Sequence, residues 1–353
     1  MYIRVGILTA PKIEYEQREH TFVLKNVRIG IGFHWDRHED QEFAGRLEIK
    51  PTPNPSLKEG EPWQVAINTI DLEDYLCSVI SSEMNANSPI ELLKAHAVIS
   101  RSWAIRAMEH PNHEGYDVCA DDHCQRYEGL RRMNDRAVQA VRETAGQVLV
   151  STKGRCTMYE GAKEEICDCR YHKCCGGRTE VWRTCWEDID VPYIQSVTCD
   201  YCKSPSPKVL RLVLNDYDQE TKDFRDWKVS YTDEELREIL RLKSGIDFGE
   251  IQELVPLHRG ASGRIDSLKI VGSRHTEVIG KELKIRYWLS KSCLYSSWFE
   301  VSHADGVWTL TGHGWGHGAG LCQIGAAVMA SEGHRYEEIL SYYYPNTQLM
   351  IAD

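Results

Sequence analysis

The sequence predicts an α+β fold in which mostly antiparallel β-sheets and packed helices form two lobes around a substrate cleft. Short runs of β-branched and apolar residues favour strands, and capped segments with apolar residues at helical spacing favour helices. The chain has 353 residues, of which 42% are apolar and 27% charged, so it can bury a full core.

Strands dominate the N-terminal segment, residues 1–57. The runs YIRVGIL, TFVLKNVRIGIGF and FAGRLEI have the strand pattern. KPTPNPSLKEGEP, residues 50–62, predicts a linker or long hairpin loop before a further strand, WQVAINTI. Residues 58–353 form the second predicted region, with a helical lobe over about 71–145 and a β-rich, cysteine-containing part over about 146–353.

Two helices with clear start signals open the helical lobe. In DLEDYLCSVISSEM, Asp71 is the expected N-cap and Glu83 lies at the helix end. In SPIELLKAHAVISRSWAIRAM, Ser88 is the expected N-cap, Pro89 takes the first helical position and Glu91 completes a capping box.

Strands and helices mix in the rest of the chain. Predicted strands are QVLVS, YIQSV, VLRLVL, RIDSLKIVG and VWTLTG. YTDEELREILRLKSG is a predicted helix with Thr232 as N-cap, Glu235 three residues later and Gly245 past its end. CQIGAAVMASEG and RYEEILSYYYP are predicted helices that stop at Gly333 and Pro345.

Composition argues against several classes of function. The formal charge of -11 and the pI near 5.7 disfavour a nucleic-acid surface, because phosphate binding depends on clustered Lys and Arg. No run of 18 apolar residues occurs, so no membrane span is expected. The start, MYIRVGILTA, lacks a signal-peptide pattern, so we expect either a cytosolic chain or one whose signal was removed before this numbering.

Glu83 is the candidate general acid. A carboxylate near a helix C-terminus faces the negative end of the helix dipole, which favours the protonated form and suits proton donation. The alternative is a solvated glutamate at a helix end. Lys94 and Arg101, two turns apart on one helix face, either offer positive charge to an anionic substrate or are ordinary surface charges.

The segment HEGYDVCADDHCQRYEG contains a candidate zinc site. Two thiolates and two imidazoles form the ligand set of a closed tetrahedral site, here His113, Cys119, His123 and Cys124. Such a site would be structural and would hold the loop that brings Gln125 and Tyr127 toward Glu83. The alternative is a disulfide with histidines on the surface.

The remaining cysteines could form a second metal site or disulfides. Eight of the thirteen cysteines lie between Cys156 and Cys202, and such clusters form disulfides in an oxidising compartment or metal sites in a reducing one. The candidate ligands of a second zinc ion are Cys167, Cys169, Cys199 and Cys202, with disulfides an equal alternative.

The segment LTGHGWGHGAGLCQIGAA has glycine at every second position from Gly312 to Gly320. An extended backbone would place His313, Trp315 and His317 on one face and leave the glycine face open to close packing or a ligand. Aromatic rings with polar tips suit a sugar-binding groove. A structural glycine-rich hairpin is the alternative, and no phosphate-loop pattern is present.

Several of these segments together resemble the SpoIID/LytB family, in the same order along the chain. They are DLEDYLCSVISSEM, SPIELLKAHAVISRSWAI, HCQRYEG, CCGGRTEVW, VPYIQSV, GRIDSLKIVG and the C-terminal block from GHGWGHG to YYPNTQL. The resemblance runs from about residue 44 to the C-terminus. It implies a peptidoglycan lytic transglycosylase acting on glycan strands without stem peptides, or a non-catalytic enhancer of a cell-wall amidase.

The resemblance also implies residue roles. Glu83, in the family's sEM motif, would be the catalytic acid. The expected substrate contacts are Lys94, Arg101, Gln125, Tyr127, His313, Trp315, His317 and Gln323. His113, Cys119, His123 and Cys124 resemble the zinc ligands of some family members, although the spacing between the first cysteine and the His-Cys pair is expected to be one residue shorter here.

The sequence also departs from the family pattern. KAHAVISRSWAI replaces the usual KAQAVAARTYA, cysteines replace serines in CCGG and GLCQ, and the membrane anchor typical of sporulation proteins is not expected in this chain. A sporulation role therefore does not follow, and residence outside the cytoplasm is inferred only from the substrate. A hydrolase would need a second carboxylate such as Asp188 or Asp190, and a zinc hydrolase would need an open three-ligand site.

Overall fold

Helices and strands follow one another irregularly along the chain. The computed structural model describes residues 1–31, 36–52, 63–121, 123–153, 165–203, 205–214 and 225–352. Its helices are α1 Leu72–Glu83, α2 Ile90–Glu109, α3 Asp135–Glu143, α4 Trp182–Cys185, α5 Pro207–Val213, α6 Asp233–Ser244, α7 Glu282–Trp288, α8 Gln323–Ser331 and α9 Tyr336–Tyr343, and a 3-10 helix spans Asp200–Cys202.

The strands are short and form small sheets. They are β1 Tyr2–Ala10, β2 Tyr15–Gln17, β3 Thr21–Ile29, β4 Arg37–Ala44, β5 Arg46–Pro51, β6 Gln64–Asp71, β7 Val118–Cys119, β8 Gln147–Ser151, β9 Tyr171–His172, β10 Asp226–Thr232, β11 Ile251–Arg259, β12 Ile265–Gly272, β13 Thr276–Ile279, β14 Phe299–Ala304, β15 Val307–His313, β16 Leu321–Cys322 and β17 Thr347–Ile351.

Neighbouring strands are mostly antiparallel. The sheet orders are β5-β6-β1-β7, β2-β3-β4, β10-β15-β14 and β11-β12-β13, with the pairs β8-β17 and β9-β16. Two pairs are parallel, β1 with β7 and β9 with β16. The predicted α+β class with mostly antiparallel sheets is therefore confirmed, whereas the two lobes around a cleft stay a prediction.

Two hydrophobic cores organise the described part of the chain. The first joins N-terminal strands to α1, α2 and the C-terminal helices, through residues such as Ile3, Phe22, Tyr75 and Leu340. The second lies entirely within residues 227–310. The N-terminal strands therefore share a core with the helix that carries Glu83. The predicted boundary at residue 57 and most of the 50–62 loop lie outside the described residues.

Local capping explains two of the predicted helices. Asp71 accepts a hydrogen bond from the Glu73 N–H at 2.9 Å and starts α1 as predicted. Thr232 forms the predicted capping box of α6, which ends at Gly245 with φ 75°. None of the helices in the described ranges combines the length and the apolar character needed to cross a membrane.

The predicted start of α2 is wrong. The helix begins at Ile90 with Pro89 as its N-cap, and no side chain caps it. Ser88 instead donates from its hydroxyl to the carbonyl of Leu212 at 3.0 Å. Glu91 accepts a hydrogen bond from the backbone N–H of Tyr336 at 2.9 Å. Hydrogen bonds to residues of α5 and α9 therefore replace the expected capping box, since both of its members are engaged in these tertiary contacts.

Two predicted strands are also wrong. VLRLVL lies in helix α5, where Ser206 accepts from the Val209 N–H at 3.2 Å and Pro207 occupies the first turn. YIQSV, residues 193–197, is turn and irregular backbone. The other predicted strands coincide with β1, β3, β5, β6, β8, β12 and β15, and the last two predicted helices coincide with α8 and α9.

Candidate active site and metal centres

Glu83 is the last residue of α1 and its side chain is half-buried. Its Oε1 atom accepts two hydrogen bonds, from the backbone N–H of Arg126 at 3.1 Å and from the hydroxyl of Tyr171 at 3.0 Å. The structure records no partner for Oε2 among the residues it describes. One oxygen of the carboxyl group is therefore fixed, and the other is available for chemistry.

Tyr171 reaches Glu83 from a separate part of the chain. It lies on β9, where it pairs with Leu321 of β16 in parallel register. Its ring meets that of His96 edge-on at 4.4 Å. Burial, reinforced by the neighbouring Glu83 carboxylate, raises the pKa of Tyr171 well above its ordinary value. The Tyr171 side chain therefore stays protonated, and its hydroxyl donates a hydrogen bond to Oε1 of Glu83.

His96 and Gln323 form a buried layer behind this tyrosine. The Nε2 atoms of Gln323 and His96 are 3.0 Å apart, and His96 Nδ1 lies 3.2 Å from the Ser100 hydroxyl. Burial lowers the pKa of His96 to about 3, so its ring is neutral. Gln323 is 2% exposed. It touches Glu83 only through His96 and Tyr171, and a direct substrate contact from it stays a prediction.

Lys94 and Arg101 bind carboxylates of neighbouring helices. The Arg101 side chain is 1% exposed, and its Nε and Nη2 atoms bind the Glu73 carboxylate at 2.7 Å each. Glu73 is the second residue of α1 and Glu83 ends the helix ten residues later, a separation of about 15 Å along the axis. Lys94 pairs with Glu143 at 2.8 Å. Both charges stabilise the helix packing here, and their contact with substrate stays a prediction.

Gln125 and Tyr127 lie in the first core, each 1% exposed. Gln125 accepts a hydrogen bond from the Tyr75 hydroxyl at 3.1 Å, and the Tyr127 hydroxyl accepts one from the Asn68 side chain at 2.8 Å. The backbone N–H of the residue between them, Arg126, contacts Glu83 instead. A substrate contact from either side chain stays a prediction that requires it to leave the core.

The predicted metal ligands of the first group do come together. Their donor atoms all lie within 4.8 Å of one another, and the group is His113, Cys119, His123 and Cys124, which we call the mixed His/Cys group. The Cys124 sulfur lies 3.2 Å from His113 Nε2 and 3.4 Å from His123 Nδ1. These separations suit a tetrahedral ion with bonds of about 2.0–2.3 Å.

The electrostatics of the mixed His/Cys group also favour a cation. A hydrogen bond from Cys124, with a further contribution from His123, lowers the pKa of Cys119 to about 4 despite its burial. One thiolate is therefore present at neutral pH, as a zinc ligand must be. Cys119 lies on β7 beside β1, and Cys124 is two residues before Arg126. The group thus braces the loop that reaches Glu83.

The second predicted ligand set is wrong in two of its four members. The residues that meet are Cys175, Cys199, Cys202 and Cys322, all buried, which we call the four-cysteine group. Cys167 and Cys169 interact with each other instead. Cys322 comes from the C-terminal block, 147 residues after Cys175, so local spacing did not identify it. The cysteines that the structure describes are all free thiols.

The glycine-rich segment is not extended as predicted. Strand β15 ends at His313, and Gly314, Gly316, Gly318 and Gly320 then adopt φ values of 78°, 99°, 86° and 71°. Only glycine adopts such angles without strain. A Cβ atom at Gly318 would lie 2.5 Å from the Arg264 guanidinium group. The glycine side therefore packs against protein, and the backbone does not set up a single wall of rings.

The three rings of this segment have different partners. His313 binds Asp226 through Nδ1 at 2.6 Å, and Trp315 meets Tyr295 edge-on at 5.5 Å. His317 packs beside Trp186 with ring centres 5.0 Å apart. Burial lowers the pKa of His317 well below its usual value, so this ring is neutral. Substrate binding by His313, Trp315 and His317 stays a prediction.

An aromatic cluster next to Tyr171 was not predicted. The Arg170 guanidinium group lies 4.9 Å from the ring centre of Trp186 and 5.4 Å from that of Trp182, and Asp168 binds it at 2.7 Å. Trp186 is half-buried. A partly exposed indole packed against a cation is a suitable surface for a sugar face, and Arg170 directly precedes Tyr171 in sequence.

The alternative second carboxylates are on the surface. Asp188 and Asp190 have side chains 83% and 88% exposed, and they pair with Lys281 and Arg183. Neither hydrogen-bonds to Glu83. Of the residues missed from the sequence, Tyr171 had no signal beyond its place among cysteines, whereas His96 stood out as a departure from the family pattern.

Comparison with known proteins matches this site to a family. The SpoIID family, described as stage II sporulation protein, matches residues 62–151, which contain Glu83 and the whole mixed His/Cys group. Stage II sporulation protein D of Bacillus subtilis is 28% identical over 321 residues, covering 88% of this chain and 82% of that protein. These similarities support an assignment to the SpoIID/LytB family.

Other relatives extend the SpoIID/LytB comparison. The amidase enhancer of Bacillus subtilis is 26% identical over 302 residues, which are 78% of this chain but only 40% of that protein. An uncharacterized protein of Brachyspira hyodysenteriae is 27% identical over 287 residues, 81% of this chain and 68% of that protein. Residues 180–320, which include the alternating glycines from Gly312 to Gly320, match a family described as a domain of unknown function (DUF8618).

Proposed function

We propose that this chain is a lytic transglycosylase that cleaves peptidoglycan glycan strands free of stem peptides, with Glu83 as its general acid and base. The observation that carries the proposal is the carboxyl group of Glu83, whose Oε1 is held by Arg126 and Tyr171 while Oε2 has no partner in the described structure. Similarity to stage II sporulation protein D and to an amidase enhancer supports a role in cell-wall remodelling outside the cytoplasm.

The proposed reaction needs one carboxyl group. Protonated Oε2 of Glu83 donates its proton to the oxygen that links N-acetylmuramic acid to N-acetylglucosamine, and the bond to the muramoyl C1 breaks. The resulting carboxylate takes the proton of the muramoyl C6 hydroxyl as that oxygen bonds to C1. The product is a 1,6-anhydro ring, no water is consumed, and the glutamate recovers its proton.

The mixed His/Cys group is proposed to bind a structural Zn²⁺ ion. Its four donors fill a tetrahedral shell, so no open position remains for activating water. Its contribution to the reaction is mechanical, because it holds the loop whose Arg126 N–H binds Glu83.

Mass spectrometry of the products tests the proposal. Peptide-free glycan strands incubated with the wild type should give 1,6-anhydromuramoyl ends, and Glu83→Gln should give none. Glu109→Gln, which changes the last residue of α2 in the same way, is the matched control and should cleave normally. Hydrated reducing ends, or cleavage that survives in Glu83→Gln, would contradict the mechanism.

A glycan-binding enhancer of a cell-wall amidase is the second candidate, favoured by the similarity to an amidase enhancer. Such a protein binds strands without cutting them and stimulates the amidase. Glu83→Gln should then stimulate as well as the wild type. Absence of cleavage by both proteins, together with strand binding, would replace the first proposal with this one.

A further inference from the structure

The four-cysteine group lies where three distant segments of the chain meet. Cys175 follows β9 in a turn with two glycines, Cys199 directly precedes the 3-10 helix that Cys202 ends, and Cys322 ends β16 and caps α8. All four side chains are buried, with exposures of 1% or less. Four thiols brought together in a protein core need a reason beyond packing, because apolar side chains would fill the same space.

The geometry points to a tetrahedral ion. All four sulfur atoms lie within 4.8 Å of one another. A zinc ion with Zn–S bonds of about 2.3 Å separates its sulfur ligands by about 3.8 Å. Two separate disulfides would require closeness only within each pair, whereas here every sulfur is close to the other three. A cube-shaped iron–sulfur cluster needs sulfur atoms that lie farther apart.

The surroundings of the sulfur atoms suit thiolate ligands. Cys322 Sγ accepts hydrogen bonds from the backbone N–H groups of Cys175 at 3.3 Å and Gly325 at 3.4 Å. Cys175 Sγ accepts one from Gly177 at 3.4 Å. Backbone donors directed at ligand sulfur atoms orient the ligands and stabilise their negative charge.

Gly325 gives the sulfur atoms room. A Cβ atom at this position would lie 2.7 Å from Cys199 Sγ and 3.4 Å from Cys322 Sγ. Helix α8 therefore approaches the group closely only because this residue has no side chain. Cys174 contacts Cys202 and Cys322 but is outside the set of mutually close sulfur atoms.

We infer that Cys175, Cys199, Cys202 and Cys322 form a second, structural Zn²⁺ site. The ion would be coordinatively closed and would tie β9, the 3-10 helix and α8 together. Since Tyr171 is four residues before Cys175 on the same segment, the site would fix the tyrosine that binds Glu83. This inference does not depend on the proposed reaction.

Metal stoichiometry of protein purified with a reductant is the first test. The wild type should hold two zinc ions per chain by elemental mass spectrometry. Cys199→Ser combined with Cys202→Ser should hold one, and so should Cys119→Ser combined with Cys124→Ser. Cys77→Ser, which alters a buried thiol outside both groups, should retain both ions.

A second measurement leaves the four-cysteine group unchanged, so its outcome does not depend on whether variants of that group fold. X-ray absorption at the zinc edge of the Cys119→Ser, Cys124→Ser protein should show four sulfur ligands at about 2.3 Å. A folded protein of this kind without zinc would overturn the inference. So would iron in place of zinc, or an intact mass lower by the four hydrogens that two disulfides remove.

Discussion

At the scale of single residues, the hydroxyl of Tyr171 is the group that the structure adds to Glu83. The substitution Tyr171→Phe keeps the ring against His96 and removes one of the two hydrogen-bond donors to Oε1 of Glu83. A hydrogen bond to a charged group is worth about 1.5–3 kcal/mol, so we expect kcat for strand cleavage to fall about tenfold or more with KM little changed.

Tyr336→Phe is the matched control for this substitution. It also removes a tyrosine hydroxyl, one that donates to Gln147 at 3.0 Å. Tyr336→Phe should lose about 1 kcal/mol of unfolding free energy in urea, and Tyr171→Phe about 1.5–3 kcal/mol because its hydrogen bond is to a charged group. Equal loss of activity in both would show that Tyr171 acts only through stability, and unchanged kcat in Tyr171→Phe would remove it from the site.

His96 gives stability a pH dependence. Its pKa is about 3 in the folded chain, lowered by burial and then by the charge of Lys173, against about 6.5 when unfolded. Between these two pKa values the unfolded chain binds a proton at His96 that the folded chain does not. The folded state therefore keeps its full stability with respect to this group above pH 6.5 and loses stability as the pH falls toward 3. Between pH 7 and pH 5 this one group accounts for about 2 kcal/mol.

His96→Gln should remove about that much of the difference between urea unfolding free energies at pH 7 and pH 5. Glutamine keeps polar atoms beside Gln323 without titrating. The control is His20→Gln, at a side chain 86% exposed, which should leave the difference as in the wild type. A His96→Gln profile that overlays the wild type would show that the buried ring is not the source.

Individual residues also show which parts of the site can be predicted from sequence. Cap chemistry placed Glu83 at a helix end because Asp71 and the apolar stripe are local signals. The donors to Glu83 come from residues 43 and 88 positions away in sequence, so no local pattern identifies them. The candidate zinc ligands of the mixed His/Cys group lie close together in sequence, so the sequence could group all four, whereas Cys322 lies far from the other members of the four-cysteine group and was not grouped with them.

At the scale of elements, the glycine-rich segment is defined by its contacts on the glycine side. Gly318→Ala places a methyl group 2.5 Å from the Arg264 guanidinium group at a φ of 86°. Gly333→Ala has a similar φ of 96° but meets nothing within 4 Å. Backbone strain costs about 1–3 kcal/mol in each case, and overpacking adds about 1–3 kcal/mol at Gly318 alone.

Unfolding in urea should therefore show a larger loss for Gly318→Ala than for Gly333→Ala. The difference measures how tightly the segment packs on Arg264. Equal losses of unfolding free energy in the two variants would mean that the segment relaxes around the added methyl group. Its conformation would then depend on the left-handed glycines rather than on packing against Arg264.

Errors in predicting elements have physical causes. VLRLVL contains enough β-branched residues for a strand. Ser206 and Pro207, shortly before it, are nevertheless start signals of a helix, and the segment forms α5. Alternating glycines resemble the period of a strand, but the choice between positive and negative φ at glycine depends on what lies beside it, here Arg264 and Arg170. Neither neighbour is close in sequence.

At the scale of the whole molecule, a buried carboxylate joins the two hydrophobic cores. Glu180 is fully buried next to first-core residues, and it accepts hydrogen bonds from the Ala261 N–H at 2.9 Å and from the Ser262 N–H and hydroxyl at 3.0 and 2.6 Å. Residues 261 and 262 belong to the turn between β11 and β12 of the second core. Charge-assisted bonds of this kind couple the cores energetically.

Glu180→Gln should uncouple the unfolding of the two cores. The amide N–H group of the glutamine would face the backbone N–H groups of Ala261 and Ser262, which need an acceptor. Calorimetry should then resolve two unfolding transitions in place of one. Glu282→Gln, which alters a fully buried carboxylate paired with Arg286 inside the second core, should keep a single transition at lower temperature. A single shifted transition in both variants would contradict the coupling role.

The two hydrogen bonds on Oε1 of Glu83 have a consequence for the life of the chain before it is fully folded. One donor is anchored next to the mixed His/Cys group and the other on the segment that leads into the four-cysteine group. We expect a nascent or metal-starved chain, in which only one of these segments is docked or neither, to present an incompletely held glutamate. If Glu83 is the acid of a wall-cleaving enzyme, as proposed, this arrangement delays cutting until both segments are in place.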